Sequence, residues 1–385
     1  MPPASLRDRL GSLAGDGRPT WQRAPGRRPE VERQVPRGFE PADTPYGPTW
    51  RLLDVLPVGR LVGPAPPSLH AYLDTETTGL AGGTGTQVFA ASVCRPGPNG
   101  LQLTQLFLAD PAGEPAFLHL LQQELLAAGA IATYNGSCFD LPLLRTRWVM
   151  ARLPGELQHP THVDLLTLTR SLYRQRLESC TLRAVEERVL GFDREDDLPG
   201  PLVPQAYFAY LRRGWSPTLE AALRHNRDDV LSLFHLHSRL ELRLQGEDPR
   251  MEAPDWLALG RHLLRGGRRA DGWRALRRAA EEGRGPASVL AGLLLARGLG
   301  RRRRFRSAER LLAALQDGRP AEVHLTSARA RLLEWRLGDP AAARDLVAAT
   351  LDELAQASPY RSDLERRLGR LDGKVGGSRP APDRG

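Results

Sequence analysis

Ala71-Tyr72-Leu73-Asp74-Thr75-Glu76-Thr77-Thr78-Gly79-Leu80 begins apolar, runs into two acids and ends on a glycine turn. Alternate side chains of a strand share one face, so Asp74 and Glu76 project together from its carboxyl end. Two carboxylates side by side on a buried strand repel each other, and a cation lowers that cost. An isolated Asp-x-Glu is more often a solvated strand end, so the acids gain meaning only from their neighbours along the chain.

Outward from this stretch, Ala71–Glu76, Gln87–Cys94 and Leu101–Leu108 read as three strands, the last two separated by the turn Pro96-Gly97-Pro98-Asn99-Gly100. Pro115–Ala128 reads as an amphipathic helix and Ala130–Tyr134 as a fourth strand. From Leu141 to Leu244 the pattern is helical, with breaks near residues 154–160, 193–204 and 214–217. Three strands, a helix, a strand and then helices predict an α/β fold with a mixed sheet flanked by helices. That layout fits the ribonuclease-H-like fold, in which three antiparallel strands precede a crossover helix.

Further acids lie in two more segments. Tyr134-Asn135-Gly136-Ser137-Cys138-Phe139-Asp140 falls where the fourth strand meets a helix. Asp140 there is either a helix N-cap, a common role for aspartate, or a third carboxylate facing the first two. Phe139 is expected to anchor the core and Cys138 to pack. His225-Asn226-Arg227-Asp228-Asp229-Val230 lies in a helix expected over Thr218–Leu244. Residues four apart share a helix face, so His225 and Asp229 point at one site, while Asp228 lies about 100° away and faces solvent.

The stretch DTETTGL, residues 74–80, resembles the first motif of the DEDD 3′–5′ exonuclease superfamily. Asn135-x3-Phe139-Asp140 resembles the second, and His225-x3-Asp229 the third. The third departs from the superfamily, whose pattern is Tyr-x3-Asp or His-x4-Asp: the spacing is that of the tyrosine class, with histidine in the tyrosine position. Together with VDLLTLTRSLYR, ESCTLRAVEERVLG, REDDLPGPLVP and HNRDDVLSL, these segments resemble the YprB-like branch of that superfamily over about 170 residues. The resemblance implies a ribonuclease-H-like fold and a 3′–5′ exonuclease. It implies that Asp74, Glu76, Asp140 and Asp229 hold two Mg2+ or Mn2+ ions, hard cations that prefer carboxylate oxygens. It also implies contacts to the terminal nucleotide from Thr77 and Leu80. Asn135 and Arg145 are further candidates for substrate binding. His225 becomes the candidate that orients the attacking water or takes its proton, a role suited to imidazole near neutral pH.

The 385-residue chain suggests two to three domains. Residues 1–68 are rich in Pro, Gly and Arg and read as an irregular lead-in, with a short helix at Ser5–Leu13. Residues 69–245 form the ribonuclease-H-like unit, 250–372 an all-α helical-repeat domain, and 373–385 a disordered tail. In the repeat region Trp256, Leu259, Gly260, Leu263, Ala270, Trp273 and Ala279 approach tetratricopeptide spacing, with weaker echoes near Ala287 and Ala321.

Net charge is +9, distributed as +3 over residues 1–70, −3 over 71–245 and +9 over 246–385. The acid-bearing segment is therefore negative, and the basic excess lies behind it. Lys374 is the only lysine among 54 basic residues, so the arginines reflect genome composition as well as function. No apolar run approaches the roughly 18 residues of a membrane span, and the N-terminus lacks a secretory layout, so a cytoplasmic protein is expected. Cys94, Cys138 and Cys180 are scattered and give neither a disulfide framework nor a zinc pattern.

Other signals weigh less. Gly79–Gly85 lacks the G-K-[ST] ending of a phosphate loop and precedes a strand. His159, His162 and Asp164 form a weak ligand set, and Asp164 also suits an N-cap. Arg194–Asp197 reads as a solvated loop; Arg145 and Arg147 are candidates to meet phosphates. Two functions remain open. One is a metal-dependent 3′–5′ exonuclease on single-stranded DNA or RNA ends. The other is a weakly active or inactive ribonuclease-H-like module that binds nucleic acid and recruits a protein through its repeats.

Overall fold

The computed structural model describes residues 32–57, 70–79, 83–153, 161–192, 194, 198–283 and 285–376. Among them a mixed sheet of seven strands is ordered β1-β2-β5-β4-β3-β6-β7. The central strand β3 (His70–Thr77) pairs antiparallel with β4 (Val88–Gly97), which pairs antiparallel with β5 (Gly100–Phe107). On its other side β3 runs parallel to β6 (Ala130–Thr133), and β6 runs parallel to β7 (His162–Asp164). Helix α1 (Glu114–Leu126) makes the crossover from β5 to β6 that parallel pairing demands.

The two faces of β3 bury different sets. Leu73 joins Val93, Leu106, Phe117 and Leu144 under α1 and α2 (Asp140–Met150). Tyr72 joins Leu165, Val230, Leu233 and Phe234 under α3 (Leu165–Tyr173) and the long α6 (Pro217–Gln245). Alternation therefore sends Asp74 and Glu76 to the α6 side and Thr75 to the α2 side. Between α3 and α6 lie α4 (Leu182–Val185), a widened turn over Glu186–Leu190, and α5 (Val203–Arg213). Tyr207 of α5 stacks on Phe89 at 4.4 Å and donates its hydroxyl to the Leu108 carbonyl at 2.8 Å.

The lead-in expected to be irregular over residues 1–68 is not so throughout. β1 (Glu40–Thr44) and β2 (Gly47–Leu56) form a hairpin, and β2 pairs antiparallel along β5. Their sequence hid this because little of β2 is buried: Leu53 and Val55 stay exposed, so the strand shows no clean alternation. Its order comes from a partner about fifty residues further on. The short β7 was also unread, because three residues carry no periodicity. The helix expected at Ser5–Leu13 lies outside the described residues.

Among the described residues seven helices follow: α7 (Ala253–Arg265), α8 (Arg269–Glu281), α9 (Pro286–Arg301), α10 (Phe305–Gln316), α11 (Val323–Leu332), α12 (Pro340–Glu353) and α13 (Arg361–Gly376). The last helix continues through residues 373–376, part of the expected disordered tail. At the α7–α8 crossing a Cβ on Gly260 would meet the Leu276 side chain at 2.8 Å, and one on Gly272 would meet Leu264 at 2.7 Å. The two glycines let the helices touch backbone to backbone. Buried ions bind this half to the first. Arg243 of α6 reaches Asp255 at 2.6 Å and Asp248 at 3.1 Å, all three buried, and exposed Arg176 reaches the other Asp255 oxygen at 2.6 Å. Removing one partner of such a buried set leaves an uncompensated charge, which typically costs about 3–5 kcal/mol.

Candidate active site

β3 is the strand at which the sheet changes from antiparallel to parallel pairing, and the acids gather at its carboxyl end. Thr75 turns toward the α2 side and donates its hydroxyl to Asp140 Oδ1 at 2.5 Å. Asp140 is the buried first residue of α2, not its cap; Phe139 holds the cap position and is only half-buried. On the other face α6 supplies two residues. Asn226 Nδ2 donates to Asp74 Oδ2 at 2.7 Å, and Asp229 is buried beside it.

Charge repulsion ties the four acids together. Burial raises the Asp74 carboxyl well above the usual carboxylate range, and repulsion from Asp229, Glu76 and Asp140 raises it further, against the Asn226 hydrogen bond. Burial pushes Asp140 up to about 6, opposed by the Thr75 hydroxyl and assisted by Asp164 and Asp229. Four carboxylates from β3, the β6–α2 corner and α6 thus share one electrostatic neighbourhood. They offer only hard oxygen donors, the chemistry that Mg2+ or Mn2+ would take. Among the described residues, no three His, Cys, Asp or Glu side chains stand together at the spacing of a metal cluster.

A cation does stand in this field. Arg194 Nη2 lies 2.6 Å from Asp229 Oδ1, and the same nitrogen pairs with buried Glu186. Its Nη1 lies 3.2 Å from His225 Nδ1, and His225 Nε2 lies 3.7 Å from Asp229 Oδ2. Asp229 Oδ1 is buried, and the guanidinium is the cation it faces. This corrects the reading of Arg194–Asp197 as a solvated loop: Arg194 is largely buried, because two carboxylates bind it. Residues 195–197 lie outside the described residues.

Other sequence candidates fall as follows. Glu76 lies half-buried on β3. Thr77 is buried, and its hydroxyl donates to the Gly79 carbonyl at 2.8 Å, shaping the turn after β3. Leu80 and His159 lie outside the described residues. Asn135 is exposed in a left-handed conformation (φ 66°), and its amide donates to Asp164 Oδ1 at 2.9 Å. The next residue must be glycine, since a Cβ on Gly136 would come within 2.3 Å of Thr133 Oγ1. Asp164 caps α3 through Leu166 and also takes the Ser137 amide and hydroxyl; His162 contacts Thr133 Oγ1 at 2.9 Å. Arg145 is exposed on α2. Arg147, considered for phosphate contact, is instead buried against Glu114 at 2.6 Å and the Thr84 carbonyl at 2.7 Å. Cys138, expected to pack, is exposed. Asp228 faces solvent as its helical angle requires.

Sequence reasoning missed Asn226. It accepts from Ser92 Oγ at 2.6 Å and from Gln105 Nε2 at 3.2 Å while donating to Asp74. A buried chain across β5, β4 and α6 thereby fixes the orientation of the first acid. An asparagine in mid-helix carries no signal by itself, although it sits three residues before Asp229 and so on the same face.

Among the described residues no helix is long and apolar enough to cross a membrane. Residues 71–241 match the family model RNase_H_2, of the RNase_H superfamily. The chain is 34% identical over 178 residues to the uncharacterized protein YprB of Bacillus subtilis (strain 168), a match covering 46% of this chain and 43% of that one. It thus spans less than half the length of that relative. The family B DNA polymerase of the hyperthermophilic archaeon Pyrobaculum calidifontis gives a TM-score of 0.34 at 13% identity, over 84% of this chain and 50% of that one. Sheet order, acid-bearing strand and family match agree that this chain carries a ribonuclease-H-like domain, followed by a region of many helices.

Proposed function

We propose that the protein is a metal-dependent 3′–5′ exonuclease acting on single-stranded DNA or RNA ends. The observation that carries this reading is the convergence on Asp74: Asp229, Glu76 and Asp140 all raise its carboxyl by repulsion, from three separate elements. Packing acids together without a cation is costly, and a nuclease is the activity that such a site serves in a ribonuclease-H-like domain. Asp74, Glu76, Asp140 and Asp229 would hold two Mg2+ or Mn2+ ions. Such ions would ease deprotonation of a water and stabilise the departing 3′ oxygen.

The chain's own residues do the rest. Asn226 holds the orientation of Asp74, and Thr75 that of Asp140. His225, on the same face of α6 as Asp229, orients the water and accepts its proton. Arg145 and the exposed Asn135 turn bind the terminal nucleotide, with Thr77 shaping the turn that leads to Leu80. The helices beyond residue 250 are degenerate tetratricopeptide-like pairs, a reading supported by the Gly260–Gly272 crossing.

One observation favours the rival, a weakly active binding module: Arg194 already neutralises Asp229. The experiment that separates them uses single-stranded DNA and RNA labelled at the 5′ end, with free or blocked 3′ ends and with Mn2+ or chelator. A ladder shrinking from a free 3′ end, absent with chelator, is the expected result. Intact substrate under all conditions, with measurable binding, would establish the rival.

A further inference from the structure

The second half of the chain contains a groove of about 1400 Å3 that the carboxylate site does not use. Helices α7 to α10 form its walls, and the last turn of α6 forms one rim. Seven arginines and two acids line it. Of the lining acids, Asp271 and Glu281, Asp271 pairs with Arg268 and Arg274, while Arg278 pairs with Glu282, which lies outside the lining. Exposed Arg269, Arg277, Arg302 and Arg304 have no acidic partner among the described residues. The rings of Trp256 and Trp273 also line the groove, and the Trp256 indole N–H has no acceptor among the described residues.

We infer that this groove binds the sugar–phosphate backbone of a single-stranded nucleic acid, away from the end being processed. Three features support this occupant over an acidic protein. Arginine forks match phosphate oxygens, and a groove that combines them with large aromatic rings suits stacked bases. The acid-bearing segment is negative, −3 over residues 71–245, so its own field repels a polyanion, while residues 246–385 carry +9. The two sites also share one rigid element. Gly246 at the groove rim and Asp229 lie seventeen residues apart along α6, about 25 Å at 1.5 Å per residue. A strand anchored in the groove would present its end to the acids at fixed reach. Only this last relation rests on the nuclease reading; binding in the groove does not.

The test uses the full chain bearing Asp74→Asn, without metal, so that binding is read without cleavage. Fluorescent oligothymidylates and oligouridylates of graded length are titrated across salt concentrations. Affinity is expected to rise with length. Replacing Arg269, Arg277, Arg302 and Arg304 by Glu should reduce the log–log salt slope by about 3, at about 0.7 per phosphate contact. The same four positions changed to Gln, which preserves helix propensity, should shift it in the same direction. A slope and affinity unchanged in both variants would overturn the inference. So would a polyglutamate peptide that binds the groove while the oligonucleotides do not. Hydrolysis of thymidine 5′-monophosphate p-nitrophenyl ester, too small to reach the groove, is measured separately with Asp74 restored. Equal rates with and without the four substitutions keep the groove distinct from the acids. If no form of the chain hydrolyses this ester or any oligonucleotide while the salt slope still responds, the nuclease reading fails and the groove stands.

Discussion

Arg194 and Asp229 face each other with 2.6 Å between Nη2 and Oδ1, inside a field of four carboxylates. If Asp229 holds a metal as proposed, the guanidinium already offsets the charge that the metal would take. A metal arriving at Asp229 must compete with Arg194, and Glu186 offers the arginine a second carboxylate to hold when it yields. Arg194→Ala should therefore tighten Mn2+ binding by about fivefold, roughly 1 kcal/mol, since desolvation of a buried ion pair offsets most of its attraction. Calorimetric titration of the metal-free protein reads this directly. Weaker binding in the variant would assign Arg194 to holding the site together.

The raised carboxyls set a pH dependence. The folded protein favours the protonated forms of Asp74 and Asp140, the latter raised to about 6. Their contribution to stability is complete below the ordinary carboxylate value near 4 and is lost as pH climbs through 6 and beyond. Metal-free protein should thus melt at a lower temperature in mildly alkaline than in mildly acidic buffer. Asp74→Asn should flatten that dependence and raise the alkaline Tm, by about 3 °C for each kcal/mol of repulsion relieved. Melting curves followed by circular dichroism give the answer. A variant whose Tm falls with pH as steeply as the wild type's would show that the acids are not coupled.

His225 is expected to act on turnover. His225→Ala should lower kcat by about 10²–10⁴-fold with little change in KM. His225→Tyr should retain part of the rate, since tyrosine occupies this position in the class whose spacing the motif shares. Steady-state kinetics with a single-stranded oligonucleotide decide it. A loss below about threefold in the alanine variant would make the imidazole a bystander.

Asn226 links buried Ser92 and Gln105 to Asp74, so its removal should be felt in both stability and activity. Asn226→Ala leaves Ser92 without its acceptor and Asp74 without its donor. The expected cost is about 1–3 kcal/mol in denaturant unfolding. Asn226→Asp should be worse for metal-free stability, since it adds a fifth carboxylate beside Asp74. A neutral effect of both substitutions would contradict the orienting role.

Legibility followed the physics of each element. Short apolar runs and turn chemistry revealed β3, β4 and β5, because strands buried on both faces carry few polar residues, and helical periodicity revealed the crossover helix. The hairpin of β1 and β2 escaped because its order depends on pairing with β5 and not on its own pattern. His225 and Asp229 were placed on one face by helical spacing alone, and the structure puts them 3.7 Å apart. Arg194 was hidden inside an acidic run, where composition argues for solvent. Only tertiary packing shows that Glu186 and Asp229 draw it in. Cys138 was misread because cysteine is usually buried, whereas the tight Asn135–Gly136 turn lifts it to the surface.

The most direct measurement of the central claim is degradation of a 5′-labelled single strand by wild type, Asp74→Asn and Asp140→Asn, purified side by side and assayed with Mg2+ or Mn2+. The four-carboxylate account predicts a metal-dependent ladder from the wild type, at least about 100-fold less product from each variant, and folded, cooperative melting in all three. Equal degradation by wild type and variants, or degradation that persists with chelator, would contradict it.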